Sequence, residues 1–161
     1  MAIFMQASDN SIQGEGTAKG YEKWVELDSF SFSVGRGISA GVGGGSKREA
    51  TAPSVSEISV TKSLDAASPH ILKASIGGKA TDVKIEHTQT DNTGKHVAFQ
   101  KYILSNTLIS GYSISGSGSR PHESFTLNFT KIDSEYLNID DKFNAKTTGH
   151  VIYDLTKASP S

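Results

Sequence analysis

A glycine-rich stretch carries the residues whose spacing most resembles a chemical motif. Gly35, Gly37 and Ala40 fit the G-x-G-x-x-G/A pattern, in which a helix N-terminus faces the pyrophosphate of a dinucleotide. The pattern requires a helix directly after it, and the run Gly-Val-Gly-Gly-Gly that begins at Gly41 cannot sustain one. The following Gly-Ser-Lys-Arg also lacks the residue order of a phosphate-binding loop. We therefore expect no nucleotide and no other cofactor.

The spacing of the histidines and serines, and the lack of cysteine, also argue against a catalytic or metal site. The five histidines show neither H-x-H nor H-E-x-x-H spacing, and only His87 and His96 flank a common predicted turn. No serine lies in a G-x-S-x-G elbow. The chain has no cysteine, which excludes disulfides, thiolate zinc sites and a cysteine nucleophile. We expect no catalytic residue, no metal ligand and no enzymatic activity.

Length, charge and hydropathy exclude several classes of protein. With 161 residues, 35% of them hydrophobic, the chain suits one domain, and we expect residues 1–161 to form it. A formal net charge of −1 gives no basic excess for nucleic acid. No apolar run approaches membrane-spanning length, and no basic residue precedes the short apolar stretch near the N-terminus. We expect neither nucleic-acid binding, membrane insertion nor a conventional signal peptide.

Alternation of apolar and polar residues predicts strands through most of the chain. Phe125, Leu127 and Phe129 alternate with polar residues, which is typical of a strand with one buried face. Residues 83–85 alternate in the same way and precede the turn sequence Asp-Asn-Thr-Gly at 91–94.

The apolar phase changes within residues 22–34. Val25 and Leu27 occupy odd positions, whereas Phe30 and Phe32 occupy even ones. One continuous strand cannot bury both sets on one face, so we expect a bulge or bend near residue 28. Trp24 lies in a predicted amphipathic strand over residues 22–26, where core packing and a subunit interface are both open.

Three serines share the face opposite Phe30 and Phe32. Ser29, Ser31 and Ser33 alternate with those aromatic residues. An ordinary solvated sheet face is the simpler interpretation, and a wet, uncharged wall for sliding contact with varied cargo is the sharper one.

One short helix is predicted. Ser68 is a suitable N-cap, Pro69 suits the first helical position, and Gly77 suits the residue just past the end. Such a helix would present an apolar face formed by Ile71, Leu72 and Ile76. Together these patterns predict a mostly β fold, a single barrel-like or sandwich domain with one short α-helix packed at its side.

Two loops and a tail complete the chain. Residues 35–53 form an unusually long glycine-rich loop, which at this length is disordered when free or has a function. Residues 116–123 form a second loop rich in glycine and serine, and residues 157–161 form a short polar tail. We expect the long loop to make ring-stacking or subunit contacts, through the positions Gly43, Gly44, Gly45, Lys47, Arg48 and Glu49.

Several stretches in order resemble the Hcp family (haemolysin-coregulated protein of type VI secretion). They span nearly the whole chain. The stretches are Ile-Gln-Gly-Glu at 12–15, Trp-Val-Glu-Leu-Asp-Ser-Phe-Ser-Phe at 24–32, Thr-Lys-Ser-Leu-Asp at 61–65 with Ser-Pro-His-Ile-Leu at 68–72, Ile-Ser-Gly-Tyr-Ser-Ile-Ser-Gly at 109–116, Pro-His-Glu-Ser-Phe-Thr-Leu-Asn-Phe-Thr-Lys-Ile at 121–132, and Gly-His-Val-Ile-Tyr-Asp-Leu at 149–155.

The resemblance implies a barrel-like subunit that assembles head to tail into a hexameric ring. Rings would stack into the inner tube of a contractile machine, with a spike protein, a surrounding sheath and effector proteins as partners. The protein would be cytoplasmic before firing and then secreted without a signal peptide. Ser31 matches the family serine that faces the lumen, which makes it the cargo-contact candidate, with Ser29 and Ser33 beside it. Phe30 and Phe32 stand where the family often has tryptophan.

Two other classes stay open. One is a monomeric β-sandwich module that binds carbohydrate or a protein ligand. The other is a small hydrolase with an unrecognised site. Some relatives carry a toxin domain after the barrel, whereas this chain ends at Ser161, so we expect any toxin to be a separate protein.

Overall fold

A computed structural model describes residues 1–39, 49–157 and 159–160 of the chain. The predicted mostly β fold with one short helix is confirmed. Its elements are β1 (Ala2–Ala7), β2 (Val25–Leu27), β3 (Ser29–Ser31), β4 (Val34–Gly35), β5 (Ile38–Ser39), β6 (Glu49–Ala50), β7 (Ser54–Val55), β8 (Ile58–Ser63), α1 (Ser68–Gly77), β9 (Thr81–Thr90), β10 (His96–Ser115), β11 (His122–Asn128), β12 (Lys131–Ile139), β13 (Ala145–Asp154) and β14 (Ser159–Pro160).

The 20-residue strand β10 organises the sheets. Its first part pairs with β9 and β12, giving a first sheet in the order β2-β1-β9-β10-β12-β13-β14. Its last part, from Leu108 to Ser115, pairs with β11, giving a second sheet in the order β10-β11-β8-β3. All these pairs are antiparallel. The predicted turn between β9 and β10 is confirmed, with Gly94 at φ 84°.

The core lies between the two sheets, and period-2 alternation fills it. Along β11, Phe125 and Leu127 are buried, while the residues between them are less so. Val83 and Ile85 are buried on β9, as their pattern predicts. The buried cluster consists of Met5, Ala7, Ile12, Val25, Leu27, Ile58, Val60, Ala67, Ile71, Val83, Ile85, Leu104, Phe125, Leu127, Phe129 and Ile132.

The predicted bend at residue 28 is where the chain changes sheets. β2 pairs with β1 in the first sheet, and β3 pairs with β8 in the second. The backbone N–H of Asp28 donates to the carbonyl of Thr61 at 2.8 Å, which fixes the bend against β8. Both apolar phases therefore face one core, because the chain turns between them.

The expected N-cap of α1 was wrong by one residue. The helix begins at Ser68 with Ala67 at the N-cap, and no side chain caps it. The Ser68 hydroxyl instead donates to the buried carboxylate of Glu123 and accepts from the backbone N–H of Asp65 at 3.0 Å. At the other end Gly77 is the last helical residue, and the N–H of Gly78 donates to the carbonyl of Ala74 at 3.0 Å.

The expected apolar face of α1 is smaller in the structure than predicted. Ile71 is fully buried, but Leu72 is 44% exposed and Ile76 is 80% exposed. The helix packs beside β10, and Ile71 and Ala74 are its residues that reach the core cluster. No helix in the described part of the chain is long and apolar enough to cross a membrane.

Residues 35–53 were interpreted as one extended loop, and the structure shows short paired strands at its described ends. β4 pairs with β7, and β5 pairs with β6, so the chain leaves and returns as a two-stranded arm. The N–H of Gly37 donates to the Thr51 hydroxyl at 2.9 Å, and the N–H of Thr51 donates to the carbonyl of Gly37 at 2.8 Å. A Cβ at Gly37 would lie 3.0 Å from that hydroxyl oxygen, which explains a glycine there.

Candidate functional site

Small hydroxyl side chains cross the outer face of the second sheet in a first row. Ser29 lies opposite Thr61, Thr61 opposite Ser124, and Ser124 opposite Ser113. Residues directly opposite on antiparallel strands share a face, so this row runs across all four strands. The hydroxyls of Ser29 and Thr61 are 2.5 Å apart and hydrogen bonded.

A second row runs parallel to the first. Ser31 lies opposite Ser59, Ser59 opposite Thr126, and Thr126 opposite Gly111. A Cβ at Gly111 would lie 3.0 Å from the Thr126 hydroxyl, so the glycine leaves room for that side chain. We call the two rows the hydroxyl face, defined as Ser29, Ser31, Ser59, Thr61, Ser113, Ser124 and Thr126.

The structure places two of the three predicted serines on this face. Ser29 and Ser31 are exposed on β3. Ser33 lies past the end of β3, where its N–H donates to the Ser56 hydroxyl at 2.9 Å. The sequence indicated the serines of β3, but the matching hydroxyls on β8, β10 and β11 become neighbours only through strand register. Alternation within each strand was the available signal for them.

A carboxylate lies at one end of the hydroxyl face. Glu57 accepts hydrogen bonds from the hydroxyl of Ser110 at 2.5 Å and from the amide of Asn128 at 3.1 Å. The hydrogen bond from Ser110, with that from Asn128, lowers the pKa of Glu57. The Ser110 hydroxyl also lies 2.7 Å from that of Thr126, which connects Glu57 to the second row.

At the other end, Asp28 accepts a hydrogen bond from Ser63 at 3.3 Å and lies 3.7 Å from Nδ1 of His122. This serine, histidine and aspartate are not ordered as a catalytic triad, because the serine donates to the aspartate rather than to the histidine. The hydroxyl face can therefore donate and accept hydrogen bonds along its length. It presents no activated nucleophile at this cluster.

The inner face of the same sheet contains a buried ion pair that sequence analysis missed. The Lys62 ammonium lies 3.2 Å from Oε1 of Glu123, and both side chains are almost fully buried. It also lies 2.7 Å from Asp65 and donates to the Ser68 hydroxyl at 3.2 Å. Lys62 continues the alternation of Ile58 and Val60 on β8, so position parity was the signal that could have revealed it.

Most of the expected contact residues of the long loop lie outside the residues that the structure describes. Glu49 is in β6, opposite Ser39. Trp24 is half-buried and lies edge-on to Tyr21, with ring centroids 5.0 Å apart. It precedes β2 rather than lying inside a strand, because Lys23 adopts φ 64° and breaks the extended backbone. The positions outside the described residues are Gly43, Gly44, Gly45, Lys47 and Arg48.

An apolar groove opens where the arm leaves the sheets. It has a volume of about 320 Å³. Val34 on β4 is 57% exposed and Val151 on β13 is 63% exposed, so aliphatic side chains face solvent across it. We call it the arm groove, defined by its lining residues Phe32, Val34, Pro53, Val55, Ile132, Ser134, Val151 and Tyr153.

Fold and surfaces together define a class of protein. The described part of the chain is a small β-protein with a long polar sheet face, an arm and an apolar groove that its residues leave open. Within residues 1–39, 49–157 and 159–160, no group of three or more His, Cys, Asp or Glu side chains could hold a metal ion.

Comparison with known families identifies the family. A family model described as "Type VI secretion system effector, Hcp" matches residues 4–136, and the chain belongs to the Hcp family. This is a family of structural secretion-system proteins and is not a known enzyme family. The resemblance seen in the sequence is thereby confirmed. No curated protein matches the chain.

Solved structures share the fold. A structure titled as a type six secretion system protein has 22% identity and a TM-score of 0.85, with 99% of each chain covered. Hcp1 from Salmonella typhimurium has 20% identity and a TM-score of 0.75, covering 99% of this chain and 98% of its own. The secreted protein Hcp3 from Pseudomonas aeruginosa has 16% identity and a TM-score of 0.61, covering 91% and 95%.

Proposed function

We propose that this chain is a ring-forming subunit of a type VI secretion inner tube, and that the hydroxyl face lines the lumen and contacts cargo. The observation that carries the proposal is a sheet with a continuous hydroxyl face and a free edge on each side. Residues 1–161 form one non-enzymatic tube domain in this proposed role.

The free edges support assembly. Among the described residues of the chain, β3 in the second sheet pairs only with β8, and residues 108–115 of β10 pair only with β11. Each of these edges presents backbone groups that can pair with another chain. Two different edges on one subunit permit a head-to-tail contact, which gives a closed ring when the rotation closes. We propose a hexamer, as the resemblance implies.

The hydroxyl face suits a lumen because its chemistry is uniform. Serine and threonine side chains are short, uncharged and able to donate and accept hydrogen bonds. A wall of such groups holds a water layer and contacts varied polar cargo without requiring one shape. Ser31, with Ser29 beside it, is the proposed cargo contact, and Ser33 borders the same region.

The arm supplies the proposed contacts between rings or subunits. Its described base consists of two strand pairs, β4 with β7 and β5 with β6. Lys47, Arg48 and Glu49 are the proposed polar anchors, with Trp24 as a further proposed interface residue. The remaining proposed partners are the spike, the sheath and effector proteins. The subunit would reside in the cytoplasm and leave through the machine.

Light scattering after size exclusion, with negative-stain images of the same peak, tests the assembly. We expect the mass of a hexamer and ring-shaped particles. A variant in which Asn-Gly replaces residues 40–48, so that a two-residue turn still joins β5 to β6, should retain the circular dichroism spectrum of the folded chain and lose stacking into tubes. A clean monomer of the unmodified chain at high concentration would contradict the ring. Unchanged tube formation by the deletion variant would contradict the role of the arm.

A further inference from the structure

The two free edges of the second sheet carry different apolar features on its inner side. At the β3 edge lies the arm groove, which begins at Phe32. At the β10 edge lies Ile114, which is 51% exposed. Ile114 is opposite Glu123, and its neighbour Tyr112 is opposite Phe125. Because Glu123 and Phe125 are buried, Ile114 and Tyr112 share the inner side of the sheet.

The arm groove is a part of the core surface that residues 1–39, 49–157 and 159–160 leave uncovered. Ile132 and Tyr153 lie opposite each other on β12 and β13, and Ser134 and Val151 form the next pair on the same face. Ile132 is buried, whereas Val151 is 63% exposed. The inner face of the first sheet therefore extends beyond the part that the second sheet covers.

We propose that the arm groove of one copy of this chain receives Ile114, on the β10 edge, from a second copy. The inference rests on the proposed function and assigns its subunit contact to two particular surfaces. It commits to a second copy as the occupant of the groove.

Strand direction favours this occupant. The second sheet is antiparallel throughout, so β3 and the last part of β10 run in opposite directions. A β10 edge from a second copy, laid beside β3, would continue the same antiparallel sheet. Its inner side would then adjoin the inner side of β3, where the arm groove lies. One contact would bury two apolar surfaces that are both exposed in the single chain.

The required offset is compatible with a closed ring. Ile114 lies opposite Glu123, and Glu123 lies opposite Lys62. Because Thr61 is opposite Ser29, the same register places Lys62 next to Asp28, just before β3 begins. Phe32 lies four residues beyond Asp28 in sequence. A stagger of about that size between copies brings Ile114 to the groove, and closure of strands into a barrel requires a stagger along the strands.

Three single lysine substitutions test the contact. Val151→Lys places a charge in the arm groove, Ile114→Lys places one on the β10 edge, and Ile76→Lys is the matched control on α1, where the side chain is 80% exposed. Burying an unpaired ammonium in an apolar contact is strongly unfavourable. We expect Val151→Lys and Ile114→Lys to shift the midpoint concentration of assembly upward by roughly a hundredfold or more, and Ile76→Lys to assemble like the unmodified chain.

Mixing the two defective chains distinguishes a paired contact from general damage. The Val151→Lys chain keeps a native β10 edge, and the Ile114→Lys chain keeps a native arm groove. Together they can form one native contact, while the contact that would close the ring has a lysine on each side. We expect folded monomers separately, by circular dichroism and light scattering, and a heterodimer in the mixture.

The outcomes separate this inference from the ring itself. If the unmodified chain forms rings and either Val151→Lys or Ile114→Lys assembles as well as Ile76→Lys, the ring stands and the assigned contact is wrong. A mixture that stays monomeric also overturns the assignment. An unmodified chain that never assembles would overturn both proposals.

Discussion

The two faces of the second sheet are built from alternate residues of the same strands, yet they have opposite properties. On β11, Glu123 and Phe125 are buried in the interior, whereas Ser124 and Thr126 belong to the hydroxyl face. The inner face determines which residues can fold into this sheet, because each side chain there has fixed neighbours. The outer face has few packing constraints, so its composition can follow function.

The inner face has a polar centre as well as apolar packing. Lys62, Glu123 and Ser68 join β8, β11 and the start of α1 through buried hydrogen bonds. Such a pair contributes little net stability compared with apolar residues of similar volume, but it becomes costly when one partner is lost. We infer that it fixes how α1 sits on the sheet, because only one placement brings Ser68 to both charges.

The largest expected effect comes from breaking this pair. Lys62→Met removes the ammonium and leaves the Glu123 carboxylate buried without its cation. We expect the free energy of unfolding to fall by about 3–5 kcal/mol, measured by urea denaturation. Replacing both partners, as in Lys62→Met with Glu123→Leu, should restore much of the loss.

The exposed Lys84 on β9 offers the matched control for this experiment. Lys84→Met should change the free energy of unfolding by less than about 0.5 kcal/mol. Equal losses for Lys62→Met and Lys84→Met would show that burial of the pair does not matter. A double variant less stable than Lys62→Met would show that apolar residues cannot replace the pair.

An intermediate effect is expected from His87, which also lies inward. Its ring centroid is 5.0 Å from that of Phe30 and 5.8 Å from that of Tyr102, and its buried Nε2 has no hydrogen-bond partner among the described residues. Burial lowers the pKa of His87. Protonation therefore favours the unfolded chain, whose histidine pKa is about 6.5. Stability from neutral His87 is complete above that pH and declines as pH falls toward the lower folded-state pKa.

His87→Phe tests this dependence because it keeps an aromatic ring and removes the titrating group. We expect the loss of unfolding free energy between about pH 7.5 and about pH 5.5 to be smaller in the variant than in the unmodified chain. Both proteins keep the other four histidines, so the difference between the two slopes reports His87. Identical slopes would mean that His87 titrates alike in the folded and unfolded chain.

Sequence periodicity was sufficient to predict the fold class and part of the candidate site. The phase change between Leu27 and Phe30 predicts the bend correctly, since two apolar faces cannot share one straight strand. Ser68 was assigned a capping role because capping is a local property, whereas its actual partner, Glu123, is 55 residues away. The ion pair and the groove depend in the same way on strand register, which no local pattern specifies.

We expect the smallest effect from substitutions on the hydroxyl face. They are the sharpest test of the difference between the two faces of the second sheet. Ser124 is adjacent to buried Phe125 on β11, but its side chain points to the opposite face. Ser124→Ala and Ser31→Ala remove hydroxyls that have water as an alternative partner, so each should change the free energy of unfolding by less than about 0.5 kcal/mol in urea. Losses above about 1 kcal/mol would mean that the hydroxyl rows contribute to the fold. Small losses would leave these positions free to serve cargo, because changing them costs the fold almost nothing.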